Sequence, residues 1–394
     1  MRHLVLALSL LVGAGGCSDG YRSVGFLAPV ATTLPKVNNN TASAVTLGLG
    51  DLNGDGRLDA VITDNQNQVD VLISNGDGSF ATGAAYATEN IGNGSPRSLV
   101  VGDLSGDGLA DVVVGHVQQS TISIFWAQND GRLVAASGNP LNVGCQPVAM
   151  ALADLSRDSQ TDIVIACANP NEIHLLKGRG AQKGFDAAVT LAYDLPGASG
   201  QAPPPRSIAI GQLDGDGLPD VVLGTDMDMR ILLSPQEKPA TYTVSAPLSN
   251  RPGGIGIGDV NGNGVSDISV VVGGLDIRVY EYAAGGTYQQ AVVYQGIGVM
   301  GRTTKDGLGV ADFLRDGRSD LLTMLPNPNE LHLVVSRGES GPVAQPVSGI
   351  NQFGMTPYVC DGCLVLGDIT GDGLPDVVLR NGASVNALVT ASQN

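Results

Sequence analysis

The nine residues Asp51-Leu52-Asn53-Gly54-Asp55-Gly56-Arg57-Leu58-Asp59 recur six more times in altered form along the chain. The later copies are DLSGDGLAD from Asp103, DLSRDSQTD from Asp154, QLDGDGLPD from Gln212, DVNGNGVSD from Asp259, DFLRDGRSD from Asp312 and DITGDGLPD from Asp368. Successive copies start 52, 51, 58, 47, 53 and 56 residues apart, so seven units of one size occupy almost the whole sequence. A fixed period of this length marks a repeat architecture and leaves no room for a second large domain.

The spacing within each window suits a hard cation. Oxygen-bearing side chains at positions 1, 3, 5 and 9, with the carbonyl of position 7, offer about five ligands, and Ca²⁺ takes six to eight oxygens including water. The first set is Asp51, Asn53, Asp55, Asp59 and the carbonyl of Arg57; the second is Asp103, Ser105, Asp107, Asp111 and the carbonyl of Leu109. Window 4 offers Gln212, Asp214, Asp216, Asp220 and the carbonyl of Leu218, and window 5 offers Asp259, Asn261, Asn263, Asp267 and that of Val265. Window 7 offers Asp368, Thr370, Asp372, Asp376 and the carbonyl of Leu374. These five are predicted to bind Ca²⁺ well. Window 3 (Asp154, Ser156, Asp158, Asp162) has no glycine, and window 6 (Asp312, Asp316, Asp320) places Leu314 at a ligand position, so both are predicted to bind weakly or not at all.

Gly at position 6 in six copies permits the positive φ that a short loop needs to wrap an ion. An EF-hand would continue to a Glu at position 12 between helices. These windows run instead into strand-like segments such as AVIT, VVVG and VVLG. The windows hold 20 of the 38 acidic residues and four of the 21 basic ones, so they carry nearly all of the −17 net charge. At a Kd of ~0.1 mM and ~1 mM calcium, each site would add about 1.4 kcal/mol of stability, which makes a structural role the natural one.

Composition agrees with a β-rich, turn-rich protein. Of 394 residues 55 are Gly, 43% are hydrophobic, 15% charged and 4% aromatic, a poor match to disordered tails or helical repeats. The acidic balance repels nucleic acid and anionic membrane surfaces.

Each unit reads as four short strands. In the first, Ala44 to Gly50 enters the acidic loop, Leu58 to Asp64 leaves it, Gln68 to Asn75 follows a polar turn, and Phe80 to Thr88 follows Asn75-Gly-Asp-Gly78. Seven such units predict an all-β, seven-bladed β-propeller of four-stranded antiparallel blades. An open β-solenoid has shorter repeats. The fourth strands open on a large residue (Phe80, Leu133, Phe185, Tyr242, Tyr288), yet the seventh unit ends after its third strand. Val24 to Val30 has fourth-strand character, and residues 25–34 are predicted to complete the last blade and close the ring at 25–394.

The G-D-[LVI]-x-G-[DN]-G-x-x-D core at Gly50 to Asp59, Gly102 to Asp111, Gly258 to Asp267 and Gly367 to Asp376 resembles FG-GAP or VCBS repeats, of which the integrin α-chain propeller is the best-known member. The resemblance covers nearly the whole chain beyond the leader. It implies ion loops between the first and second strands on one face, partners on the opposite face, and an extracellular binding or adhesion role. It names no ligand.

Met1 to Gly16 reads as a secretory signal, with Arg2 before the apolar run Leu4 to Val12. Ala14-Gly15-Gly16-Cys17 resembles a bacterial lipoprotein box, which implies lipidation at Cys17, a short tether at 17–24 and a place in the bacterial cell envelope as a lipid-anchored monomer. An ordinary signal peptide is the other reading. Cys145, Cys167, Cys360 and Cys363 allow three pairings, of which 145–167 with 360–363 is favoured.

No catalytic motif stands out. His174 and His332 lie in matching segments (NPNEIHL and NPNELHL) at the third-strand position that Asp70, Ser123, Arg230, Arg278 and Asn386 fill elsewhere, which fits a polar face between blades. Similarity to secreted polysaccharide lyases would recruit His116, Tyr358, Arg302 and Lys305; a lectin would use Trp126 or Tyr358. The long loops Pro196 to Arg206 and Gly349 to Cys363, with Arg97 and Arg206 at matching positions, are candidates for the channel mouth. The sequence therefore predicts a calcium-stabilised binding or adhesion scaffold for a protein or glycan, with a lyase-like enzyme or a lectin as the alternatives.

Overall fold

The computed structural model describes residues 24–34, 36–37, 40–88, 98–191, 204–226, 228–233, 242–244, 252–272, 276–283, 287–294, 307–325, 330–336, 343–346 and 364–391. Seven antiparallel sheets follow one another along the chain. In the first, Ala44–Gly50, Asp59–Asp64, Gln68–Ser74 and Phe80–Ala87 pair in chain order. Each strand lies within one residue of its predicted bounds. Blade 2 carries an extra short strand, Leu141–Asn142, which pairs with Thr121–Ala127 beyond Leu133–Ala135.

The first strand of each blade touches the first strand of the next, and Leu364–Gly367 of blade 7 touches Ala44–Gly50 of blade 1, so the sheets form a closed ring. Val30–Thr33 supplies the fourth strand of blade 7, with Val30 opposite Ala387 and Thr32 opposite Val385. Gly25–Phe26 pairs with Thr390–Ala391 beside it. The closure expected from residues 25–34 is therefore present, and it removes the free edge of the last blade.

The second strands explain the apolar runs that follow each acidic loop. Asp59–Asp64, Asp111–His116, Asp220–Thr225 and Asp267–Val272 are buried throughout, because each has a strand on either side and a blade against either face. The fourth strand of blade 1 is the opposite case, with Phe80 buried and most of the rest exposed.

That buried first residue has a specific seat. Phe80 packs with Ile369, the second residue of the blade 7 loop, and Leu133 packs with Leu52, the second residue of the blade 1 loop. The Tyr288 hydroxyl donates to the Leu213 carbonyl at 2.6 Å, and the Phe26 ring meets Phe313 edge-on at 5.9 Å. In these four loops the apolar second residue is thus a plug under the outer strand of the following blade. Glycine before the loop serves the same seams: a Cβ on Gly50 would lie 2.5 Å from Val101 and one on Gly367 2.5 Å from Leu58.

Candidate functional site

The seven acidic loops share one backbone. Positions 4 and 6 have positive φ in every copy, as at Gly54 (76°) and Gly56 (82°). Windows 3 and 6 keep this shape without the usual glycines: Arg157, Ser159 and Arg315 hold φ of 62°, 66° and 52°. The loop is therefore set by the surrounding fold as well as by its own residues, and the importance of position 4 is a signal that Gly in five of seven copies carried but position 6 overshadowed.

Positions 1, 5 and 9 of each loop have distinct duties. Asp51 Oδ1 accepts the amide of Gly54 at 2.7 Å and its Oδ2 that of Gly56 at 2.8 Å; Asp103, Asp259 and Asp368 repeat the pattern. Gln212 has one side-chain oxygen and accepts only from Gly215, at 3.1 Å. The fifth residue accepts the amide of the seventh in all seven loops, from Asp55 with Arg57 to Asp372 with Leu374, both at 2.9 Å.

The ninth residue works inward. Asp59, Asp111, Asp162, Asp220, Asp267, Asp320 and Asp376 are 0–1% exposed. Asp59 Oδ2 accepts the amide of Leu52 at 3.1 Å while Oδ1 accepts that of Ser74 at 2.8 Å, so one carboxylate clasps the loop to the end of the third strand. Asp111 with Ala127, Asp162 with Gly178, Asp320 with Ser336 and Asp376 with Thr390 repeat the clasp. Burial pushes the Asp59 carboxyl up to about 6; the two amides pull it back, and Asp55 and Asp51 push it further up. Asp320 is pushed up to about 7 by burial, again with its loop's other two carboxylates, Asp316 and Asp312, adding.

Positions 1, 5 and 9 are near enough to repel one another, although among the described residues the trio of His, Cys, Asp or Glu groups drawn within 4.8 Å is Cys145, Cys167 and His174. The ligand atoms are all hard oxygens, and in window 1 Asp51 Oδ2, Asp55 Oδ1 and both Asp59 oxygens accept one amide each and keep a lone pair, so the residue types suit a cation of the calcium type. Asp51, Asp55 and Asp59 with Asn53 would hold it in window 1, and the matching residues would do so in windows 2, 4, 5 and 7. Leu314 in window 6 packs into the apolar cluster around Phe313.

The candidate catalytic and aromatic residues have other work. His116 is buried, its Nε2 lies 2.9 Å from Ser123 Oγ, and burial lowers its pKa to about 4. His174 bridges the Val143 carbonyl at 3.0 Å and Glu172 at 2.9 Å, as expected of a polar face between blades. The backbone of His332 pairs with Thr323, and its side chain lies outside the described residues. Trp126 stacks on Phe185 at 6.5 Å and is 5% exposed, which removes it as a sugar platform. Arg206 forms an ion pair with Asp226. Cys145 and Cys167 form a disulfide, and their sulfurs sit beside His174. Cys17, Cys360, Cys363, Tyr358, Arg97, Arg302 and Lys305 lie outside the described residues, as do most of the two long loops.

One concavity was not signalled by the repeats. A shallow, open hollow of about 550 Å³ beside window 3 is lined by Asp158, Gln160, Arg179, Lys183 and Asp186 with the backbone of 178–181. Gly180, Ala181 and Gln182 all have positive φ, and the Ala181 amide donates to the Ser105 carbonyl of the neighbouring acidic loop at 2.6 Å. Consecutive left-handed residues are costly away from glycine, and such strain gathers where a loop is held for use.

The model of a family described as an FG-GAP-like repeat matches residues 51–114, 103–165 and 212–270. No curated protein matches the chain. Among solved structures it is similar to BBS1N, crystallised in complex with ARL6DN and soaked with lead, with a TM-score of 0.61 at 12% identity, covering 94% of this chain and 98% of that one. It is also similar to an Agrocybe aegerita lectin whose structure describes specific recognition of non-reducing terminal N-acetylglucosamine, with a TM-score of 0.57 at 15% identity, covering 91% and 88%. At these identities the likeness is one of fold. The chain is a seven-bladed β-propeller, and three segments of it match FG-GAP-like repeats.

Proposed function

We propose that the chain is a calcium-stabilised binding propeller whose ligand is a carbohydrate. The observation that carries this reading is the hollow beside window 3: shallow, open and lined by hydrogen-bonding and charged side chains, it suits a hydroxyl-rich ligand better than an apolar one. The lectin of similar fold supports the same ligand class. Arg179, held by Asp186, and Lys183 would donate to ring or exocyclic oxygens, while Asp158 and Gln160 would accept from hydroxyls.

Calcium in the acidic loops would hold the rim from which residues 178–185 project. The apolar run before Cys17 and the small residues beside it support export and attachment through lipid, with the propeller displayed from the cell envelope. A protein ligand is the second reading.

Retention of residues 18–394 on a polysaccharide and glycan panel, in calcium and in chelator, tests the proposal. Expected is calcium-dependent retention that Lys183→Ala with Arg179→Ala abolishes at an unchanged melting temperature. No retention beside working controls would overturn it in favour of a protein partner. Shortened products in the eluate would replace it with a lyase.

A further inference from the structure

At the far end of the second strand from the acidic loop, several blades place polar side chains between themselves and a neighbour. In blade 2, His116 bonds to Ser123; in blade 3, His174 bonds to Val143 and Glu172; in blade 4, Arg230 is paired with Asp228 at 3.0 Å. Each of these groups has a complement. Blade 1 sets two carboxylates at the same place, with the Gln68 side-chain amide beside them.

Asp64 ends the second strand and Asp70 lies in the third, opposite Ile62. Alternation puts Asp64, Ile62, Gln68 and Asp70 on one face of the blade. Asp64 and Asp70 are 0% and 1% exposed. Asp64 Oδ1 accepts the amides of Gln66 at 2.9 Å and Gln68 at 2.7 Å. Asp64 Oδ2, Gln68 Oε1 and both carboxylate oxygens of Asp70 are buried without a hydrogen-bond partner.

Two carboxylates in one apolar seam repel each other and have lost their water. The pairing strands offer little help: Ala44 lies opposite Asp64 and Ala85 opposite Asp70. Arg380 of blade 7 approaches the same seam, where its guanidinium donates to the Ala44 carbonyl and does not reach the four oxygens. Four buried oxygens left without a hydrogen-bond donor are completed by a cation.

We infer that Asp64, Gln68 and Asp70 form a further cation site, of the calcium class, set into the seam between blades 1 and 7 at the end of the sheet opposite the acidic loops. It uses none of the repeat's nine positions. Four side-chain oxygens leave two or more coordination positions for water or backbone carbonyls, in keeping with the loose, oxygen-rich shell of Ca²⁺ and unlike the strict octahedron of Mg²⁺. Its place at the closing seam would let the ion bind the first blade to the last.

The test is the count of tightly held calcium ions per chain by native mass spectrometry, with the protein equilibrated in calcium chloride, for the wild type, Asp70→Asn and Asp64→Asn. Each variant is expected to hold one ion fewer. Should the acidic loops hold none, the wild type would hold one and the variants none, so the two readings fail separately. Unfolding midpoints give the second measurement. In chelator Asp70→Asn is expected to unfold at a higher temperature than the wild type, because a repulsive pair is gone; in calcium it should unfold at a lower one. An unchanged ion count, or a higher midpoint in both conditions, would overturn the site and leave a carboxylate pair sharing a proton.

Discussion

The amide of Leu58 donates to the carbonyl of Asp368 across 3.1 Å, joining the acidic loop of the first blade to that of the last. Ala110 with Asp51 at 2.8 Å and Ser319 with Asp259 at 2.6 Å make the same bond between consecutive blades. The closing seam is therefore built like the other seams on its loop side, and differs from them by taking its outer strand from the opposite end of the chain.

Removal of residues 24–34 should strip blade 7 of its outer strand and leave Ser384–Leu388 as an open edge. An uncovered edge invites pairing with another chain. Size-exclusion chromatography and calorimetry should show association and a lower, broader transition. A monomer with an unchanged midpoint would contradict the closure.

Asp55→Ala should lower stability in calcium by about 1.4 kcal/mol, the mass-action value of one site at ten times its Kd. In chelator the loss should shrink to that of exposed polar contacts, those from the Arg57 amide and guanidinium and from the Asn53 side-chain amide. Denaturant unfolding in the two conditions checks this, and equal losses in both would remove Asp55 from an ion site.

The ninth-position carboxylates set a pH dependence with a defined sign. Burial raises Asp59, Asp111, Asp267 and Asp376 to about 6 and Asp320 to about 7, above the 3.8 of the unfolded chain. Between those values the metal-free fold binds more protons than the unfolded chain, so its stability should fall as pH rises from about 4 to 7. Each group contributes on the order of 1–3 kcal/mol. His116, lowered to about 4 by burial, opposes this over part of the range, as one group against these five and against Asp64, Asp70 and Asp162, which burial also raises. In calcium the trend should reverse, since an ion favours the ionised carboxylates. Unfolding midpoints from pH 4 to 7 in chelator and in calcium would show the two slopes; parallel slopes would exclude ions at these loops.

Most of the fold was legible because its signals repeat. The Asp-rich window, the apolar run after it and the large residue opening the fourth strand each recur at one period, so tertiary context acts alike on every copy. The closing strand was legible from Phe26, which proved to occupy the same kind of seat as Phe80 and Leu133. The clasp made by Asp59 was not, since a spacing of oxygens does not say which of them face inward to amides fifteen residues on. Nor was the hollow at Arg179 and Lys183, which comes from one blade's irregular third-to-fourth connection and has no period. The burial of Trp126 against Phe185 was not legible either, because a lone aromatic in an alternating strand carries no mark of which face it takes.

Arg157→Gly and Ser159→Gly should each stabilise the protein. Both residues hold left-handed backbone, which costs a non-glycine residue about 1–2 kcal/mol, against about 0.5–1 kcal/mol for the added freedom of glycine in the unfolded chain. A gain of about 0.5–1 kcal/mol per substitution in denaturant melts is expected. A loss would mean that the side chains hold the loop.

Reduction of Cys145–Cys167, or replacement of both by Ala, should cost about 3 kcal/mol, the chain-entropy value for a loop of this size. The sulfurs span 22 residues and staple the entry of blade 3's first strand to the exit of its second. Calorimetry with and without reductant would measure the loss, and no change in midpoint would show the bond to be dispensable.

The seat of Val30–Thr33 against Ser384–Leu388 also fixes an order of events. Six blades can assemble from contiguous sequence as the chain emerges, whereas the seventh must wait for its own third strand. The earliest of the described strands to be synthesised is then among the last to find its partner. Until that moment the molecule is an open horseshoe with one unpaired edge, and a loop closure spanning nearly the whole polypeptide should govern how fast the mature ring appears.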